Sequence, residues 1–279
     1  MAEKEMAEPA RQPFTFSGVA GYATARLFSC FAMSSLFAAI AAVVIGYLFH
    51  HCWSPVISEA VTALPPSAAL EGGTLRWPEK EGRLLAASQF LALQVTVGPH
   101  LNDNPAADFG IALKQTHWRI SSLLGVFALP YPEGWSFQIG ATSLAPLWGA
   151  WRMPITFGVS AAAALILMLN WFVLALLYSM PARFVAWILG RALKGLDAWK
   201  LCVAAQWPGA LLMIFALALY STGEISLVFV LALFGAHFIP AFLYVIISPF
   251  FLPKNKVAKK TNPFHTGKPK SAANPFRKS

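Results

Sequence analysis

Three groups of side chains in this 279-residue chain have the types that chemistry calls for. His50, His51 and Cys52 stand together, with His100 and His117 further on, and imidazole and thiolate are ligands for zinc or copper. Their spacing fits no compact ligand motif, and His50-His51 closes an apolar run, so they read as interfacial and surface histidines. Asn102-Asp103-Asn104 with Asp108 offers oxygen donors but lacks the glycine and closing glutamate of a calcium loop, and reads as an Asx-rich turn. Asn170 and His237 each fall near the middle of a long apolar run, where a polar side chain invites a functional hypothesis. They could hydrogen-bond across two helices, as a proton or ion element or simply as an interhelical tie. Serine, histidine and aspartate are all present, yet nothing resembles the nucleophile elbow G-x-S-x-G. The expectation is a protein without cofactor or metal, and not an enzyme.

The elements that must carry these residues are set by hydrophobicity. Only 12% of the chain is charged and 57% is hydrophobic, where a soluble domain carries about a quarter charged residues. Leu27 to Phe49 holds 23 residues with no charge, enough helix to cross a hydrocarbon core of about 30 Å. It is too long for a signal-peptide core and ends in Phe49-His50-His51-Cys52-Trp53, without a small-residue cleavage site, so it reads as an uncleaved anchor. Further apolar runs cover 155–178, 201–220 and 225–252. Gln206-Trp207-Pro208-Gly209 predicts a kink or late start in the third, and Pro240 lies in the fourth.

Between the first two runs, residues 50–153 change character. Six Lys or Arg and seven Asp or Glu make this segment near neutral. Ser54 to Leu70 reads as a short helix broken by Pro65-Pro66. Beyond it the period turns toward two: Leu91, Leu93, Val95 and Val97 share a face, and Phe109, Ile111 and Leu113, Trp118 and Ile120, and Trp135, Phe137 and Ile139 alternate likewise. Gly72-Gly73, Asn102 to Pro105 and Pro130 to Gly134 are turn signals between them. Trp77, Trp118 and Trp135 read as sheet core, although they could line a ligand pocket; Trp148 and Trp151 read as an interfacial belt. The three cysteines supply no intrachain disulfide framework.

The remaining segments are basic. Residues 1–26 read as a short mobile arm. On a helical wheel over 182–200, Arg183, Arg191, Lys194 and Asp197 gather opposite an apolar face, predicting an amphipathic helix in the membrane surface. The 253–279 tail carries eight positive charges and no acid and reads as disordered, with Lys254, Lys256, Lys259 and Lys260 next to the bilayer. Asn-Pro-Phe occurs there twice, at Asn262 and Asn274, and resembles short peptides read by eukaryotic endocytic adaptor domains. The 50–153 segment has no N-x-S/T glycosylation site, and the expected setting is a bacterial inner membrane. Nucleic acid is not an expected partner, because aromatic interleaving in the tail is sparse.

Lysine and arginine orient the chain. The N-terminal arm has three, the 179–200 connection four, the tail eight and the Ser221–Glu224 hairpin none. This bias puts both termini in the cytoplasm and the 50–153 segment outside. The expected fold is a polytopic α-helical membrane protein with four transmembrane helices and an inserted extracytoplasmic α+β domain built on a small, mainly antiparallel sheet. The expected partners are the bilayer, anionic lipid headgroups, a protein bound through the 50–153 domain, and a second copy of the chain. Two functions fit: a non-enzymatic sensor, scaffold or accessory subunit whose outer domain binds a ligand or partner, or a component of a transporter or channel using Asn170 and His237.

Overall fold

The computed structural model describes residues 12–97 and 106–254. Four helical rods, Leu27–Thr62, Ala141–Ile188, Gly195–Ser221 and Leu227–Phe251, are long and apolar enough to cross a membrane. They fit a multi-pass membrane protein that carries a sheet domain between its first and second rods.

A short helix α1 (Phe16–Gly21) is capped by Thr15, whose hydroxyl accepts from the Gly18 amide at 3.1 Å. One 3-10 turn later the first rod starts, built from α2 (Leu27–Leu48), a π-helical turn Phe49–Trp53 and α3 (Ser54–Thr62). The mobile arm expected for 1–26 is corrected over residues 16–24. Val19, Ala20 and Tyr22 are buried, and Tyr22 meets the Trp207 ring edge-on at 4.8 Å. The cause is an uncharged apolar stretch, FSGVAGYA, which gains by burial what a solvated arm would forgo.

The sheet domain follows. Strands β1 (Ala69–Glu71) and β2 (Thr74–Arg76) pair with the later β8 (Phe137–Gln138) in a three-stranded antiparallel sheet of order β2-β1-β8. A second sheet has the order β3 (Arg83–Ala87), β4 (Leu91–Val95), β5 (Phe109–Leu113), β6 (His117–Ser122), β7 (Gly125–Pro130). Every neighbouring pair in it is antiparallel except β4 and β5, which run parallel. Strand β4 is an interior strand, and its residue Gln94 is buried along with Leu91, Ala92 and Val95. The expected outward face of β4 is therefore also covered.

Helix α4 runs unbroken from Ala141 to Ile188, 48 residues or about 72 Å, through Pro146, Pro154 and Pro181. The expected separation of the 155–178 run from a surface helix over 182–200 does not occur, and the helix continues through Pro181. Inside an apolar bundle the carbonyls freed by proline find other donors, and prolines are tolerated. The helix ends in a Schellman turn at Gly190, φ 62°, with the Arg191 amide on the Ala186 carbonyl at 2.8 Å and the Gly190 amide on the Trp187 carbonyl at 3.0 Å. Residues 182–200 thus form no single amphipathic helix. Their first part ends α4, 190–194 is a loop, and the rest begins α5 (Gly195–Ala205).

The third rod joins α5 to α6 (Trp207–Ser221), and the fourth joins α7 (Leu227–Ala236) to α8 (Phe238–Ile247), ending in a 3-10 turn to Phe251. Both breaks have a local cause. Pro208 cannot donate to Ala204 nor Pro240 to Ala236, so each helix interrupts within one residue of the orphaned carbonyl. The third rod is the hub of the bundle: Leu201 to Ala205 and Trp207 have no exposed surface. Gly209 lets α6 approach α8, since a Cβ there would stand 2.4 Å from the His237 carbonyl oxygen.

Candidate functional site

Strand β7 is an edge strand of six residues, Gly125-Val126-Phe127-Ala128-Leu129-Pro130, and every one of them is exposed. Val126, Phe127 and Leu129 expose 54%, 61% and 51% of their surface, and Leu123 and Leu124 at the hairpin tip are equally open. An uncharged, apolar, unpaired strand edge is a template for pairing with another chain. Beside it, Trp135 and Phe137 are exposed as well. They share a hollow of about 200 Å³ with Leu64, Leu113, Trp118 and Tyr131, between the two sheets and the start of α4. Trp77 and Trp118 pack against the sheet core as the sequence predicts, Trp118 also lining the hollow, whereas Trp135 is exposed at it. Tyr131 donates its hydroxyl to the Lys114 carbonyl at 3.0 Å, and burial pushes its phenol up to about 12.

The helix-facing end of this sheet is tied to the bundle. Tyr220, near the end of α6, donates its hydroxyl to Asp108 Oδ2 at 2.8 Å and packs edge-on against Phe90 at 5.1 Å. The Cys52 thiol donates to the Ser221 carbonyl at 3.3 Å, and Trp53 meets Phe109 at 5.3 Å. A cleft of about 510 Å³ lies over this junction, lined by Asp108, Ser121, Leu123, Glu224 and Ser226 among others, with no cationic side chain in its lining among the described residues. On the other flank the Trp148 indole donates to Ser58 Oγ at 2.8 Å, joining α4 to α3.

The sequence-predicted residues fall elsewhere. Asn170 is exposed on α4, and the His237 ring bonds the Phe234 carbonyl of its own rod. No hydrogen bond joins Asn170 to His237 among the described residues, so the expected intramembrane polar pair is not formed. The cause is rotational: neighbouring Trp171 and Ala175 carry α4 into the core, which leaves Asn170 on the outer face. His50, His51 and Cys52 occupy the π-helical turn, His117 opens β6, and no three His, Cys, Asp or Glu side chains converge among the described residues. His100 and Asn102-Asp103-Asn104 lie outside the described residues, as do Lys256, Lys259, Lys260 and both Asn-Pro-Phe copies. Cys30, Cys52 and Cys202 are buried, and none of them forms a disulfide.

Arg183, Arg191 and Lys194 do come together, though not on one helix face. They ring a groove where α4 turns into α5. Arg191 donates to the Leu252 carbonyl at 2.5 Å and forms a backbone bridge with Lys254, while the Ala192 amide donates to the Pro253 carbonyl at 3.2 Å.

A buried polar set in the bundle escaped the sequence reading. Lys200 exposes only 8% of its side chain, bonding the Ala25 carbonyl at 3.0 Å and pairing with Asp197 at 3.0 Å. Gln206 Nε2 donates to the Trp171 carbonyl at 2.8 Å, and the Trp207 indole donates to Ser34 Oγ at 3.2 Å. These bonds tie three rods and the segment before α2 to one another. The Asp197–Lys200 spacing of three residues was the available signal for the ion pair. No family model, curated protein or solved structure matches this chain.

Proposed function

We propose that this chain is a non-enzymatic, multi-pass inner-membrane protein, an accessory, scaffold or sensor subunit. In this reading its 50–153 domain lies outside the cytoplasm and binds a partner protein. The observation that carries the reading is β7, an apolar edge strand exposed along its whole length beside an aromatic hollow. A partner strand adding to β7 would complete its hydrogen-bond ladder and cover Val126, Phe127 and Leu129. The hollow beside Trp135 suits one apolar anchor side chain from the same partner. The orientation rests on the lysine and arginine bias, with both termini in the cytoplasm. Transport has less support, because Asn170 and His237 do not meet and four spans enclose a pore only by oligomerising.

Affinity purification of the tagged full chain in mild detergent, with mass spectrometry of what is retained, tests the proposal. A stoichiometric protein partner is expected, lost in Val126→Lys/Phe127→Lys while the bundle still inserts. A homo-oligomer without other protein, unaffected by those changes, would turn the reading toward transport.

A further inference from the structure

The end of the molecule opposite the sheet domain carries a second, differently built hollow. It holds about 650 Å³ and is lined by Met180, Arg183, Phe184, Trp187, Arg191 and Lys194 among others. The Schellman turn at Gly190 creates it by reversing the chain, so that Arg191 and Lys194 come back beside the last turns of α4. The loop is held in place by the Arg191–Leu252 and Ala192–Pro253 hydrogen bonds. Lys194 occupies the N-cap position of α5, where no side chain bonds the first amides. Those amides and the positive end of the helix therefore add to the field of the three cations.

No acidic side chain lines the groove beside Arg183 and Lys194 among the described residues. The nearest acid in sequence, Asp197, is taken by Lys200 at 3.0 Å. On the α4 side the groove is apolar. Phe184 and Trp187 stack at 6.0 Å, and Trp187 exposes 74% of its surface. Trp187 sits five residues, about 7.5 Å of helix, beyond Ala182, where the uncharged run ends, which is headgroup depth for an aromatic on a membrane helix.

We infer that this groove binds the phosphate headgroup of an anionic phospholipid, with Arg183, Arg191 and Lys194 on the phosphate and Phe184 and Trp187 against the first methylenes of its acyl chains. The inference rests on reading the four long rods as membrane spans. A free phosphate ion would use the cations and leave the aromatics in water. A lipid satisfies both halves of the groove.

The test is tryptophan quenching in detergent mixed micelles. Full-length protein is titrated with phosphatidylglycerol or phosphatidylcholine brominated on the acyl chains, and the difference between wild type and Trp187→Phe isolates the Trp187 signal. The expected result is half-quenching of Trp187 at a severalfold lower mole fraction of the glycerol lipid than of the choline lipid. Arg183→Gln/Lys194→Gln should abolish that preference, and Arg183→Lys/Lys194→Arg should retain it. Inorganic phosphate at millimolar concentration should not displace the lipid. Equal quenching by both lipids, a preference untouched by the Gln pair, or competition by inorganic phosphate would each overturn the inference. Should the remaining tryptophans, Trp151 on α4 included, also escape quenching by either lipid, the membrane-span reading itself fails and not the groove alone.

Discussion

The two ends of the helical bundle are finished with opposite chemistry. At the sheet end the turn between α6 and α7 carries Glu224, and its cleft is lined by Asp108 and Glu224 with no lysine or arginine in the lining among the described residues. At the far end Arg183, Arg191, Lys194 and Lys254 surround the loop between α4 and α5, and Asp197 at the start of α5 pairs with Lys200. The sheet end is closed by neutral and acidic contacts such as Tyr220 on Asp108. The far end is closed by cations on backbone carbonyls, Lys200 on Ala25 and Arg191 on Leu252. One end is suited to packing a folded domain, and the other to facing an anionic surface.

Breaking the far end should cost most. Asp197→Ala leaves the buried Lys200 ammonium with only the Ala25 carbonyl. It should destabilise the detergent-solubilised protein by about 2–3 kcal/mol, read as a drop in thermal midpoint. Asp197→Leu/Lys200→Met should recover much of that loss, because it removes both charges. If the single change were silent, the ion pair would contribute nothing to closing that end.

At the sheet end, Tyr220→Phe removes one hydrogen bond to a carboxylate and should cost about 1–2 kcal/mol locally. Faster hydrogen exchange in β5 and in residues 88–91 should report it, with the far end unchanged. Equal loosening at both ends would mean that the comparison describes one cooperative unit. Gly190→Ala forces a Cβ into φ 62° and should cost about 1 kcal/mol, detected as weaker protection at the α4 terminus.

A pH effect separates the sheet domain from the helices. Tyr131 keeps its proton in the folded state up to about 12, whereas an unfolded tyrosine releases it near the ordinary value of about 10. The folded form therefore binds more protons in that interval, and stability falls as pH rises from about 10 to 12. Tyr131→Phe should flatten this alkaline loss of the sheet signal in near-ultraviolet circular dichroism. An unchanged profile would assign the loss to another group.

The four rods and their order were legible because uncharged runs of twenty or more residues have few other uses. Alternation located β4, β5 and β6, where one or both faces are covered. It missed β7, whose residues Val126 to Leu129 are continuously apolar, and it missed the parallel pairing of β4 with β5, which depends on the path of the chain between them. The surface helix over 182–200 failed for a local reason: the wheel counted charges and overlooked Gly190, the residue that ends α4. Lys200 shows the limit on the polar side. A buried lysine is indistinguishable in sequence from a solvated one, and here the Asp197 carboxylate together with the facing Ala25 carbonyl makes its burial tolerable. Asn170 erred the other way, since depth in a span follows from sequence but rotation about the helix axis follows from packing.

The measurement that tests the two-ended account most directly is labelling of single cysteines in intact cells with a membrane-impermeant maleimide. The native thiols are buried and give a low background. Leu124→Cys, at the exposed tip beside β7, should label in intact cells, and Lys194→Cys should label only after permeabilisation. Labelling of Lys194→Cys in intact cells with Leu124→Cys protected would contradict the orientation and with it the proposed roles of both ends.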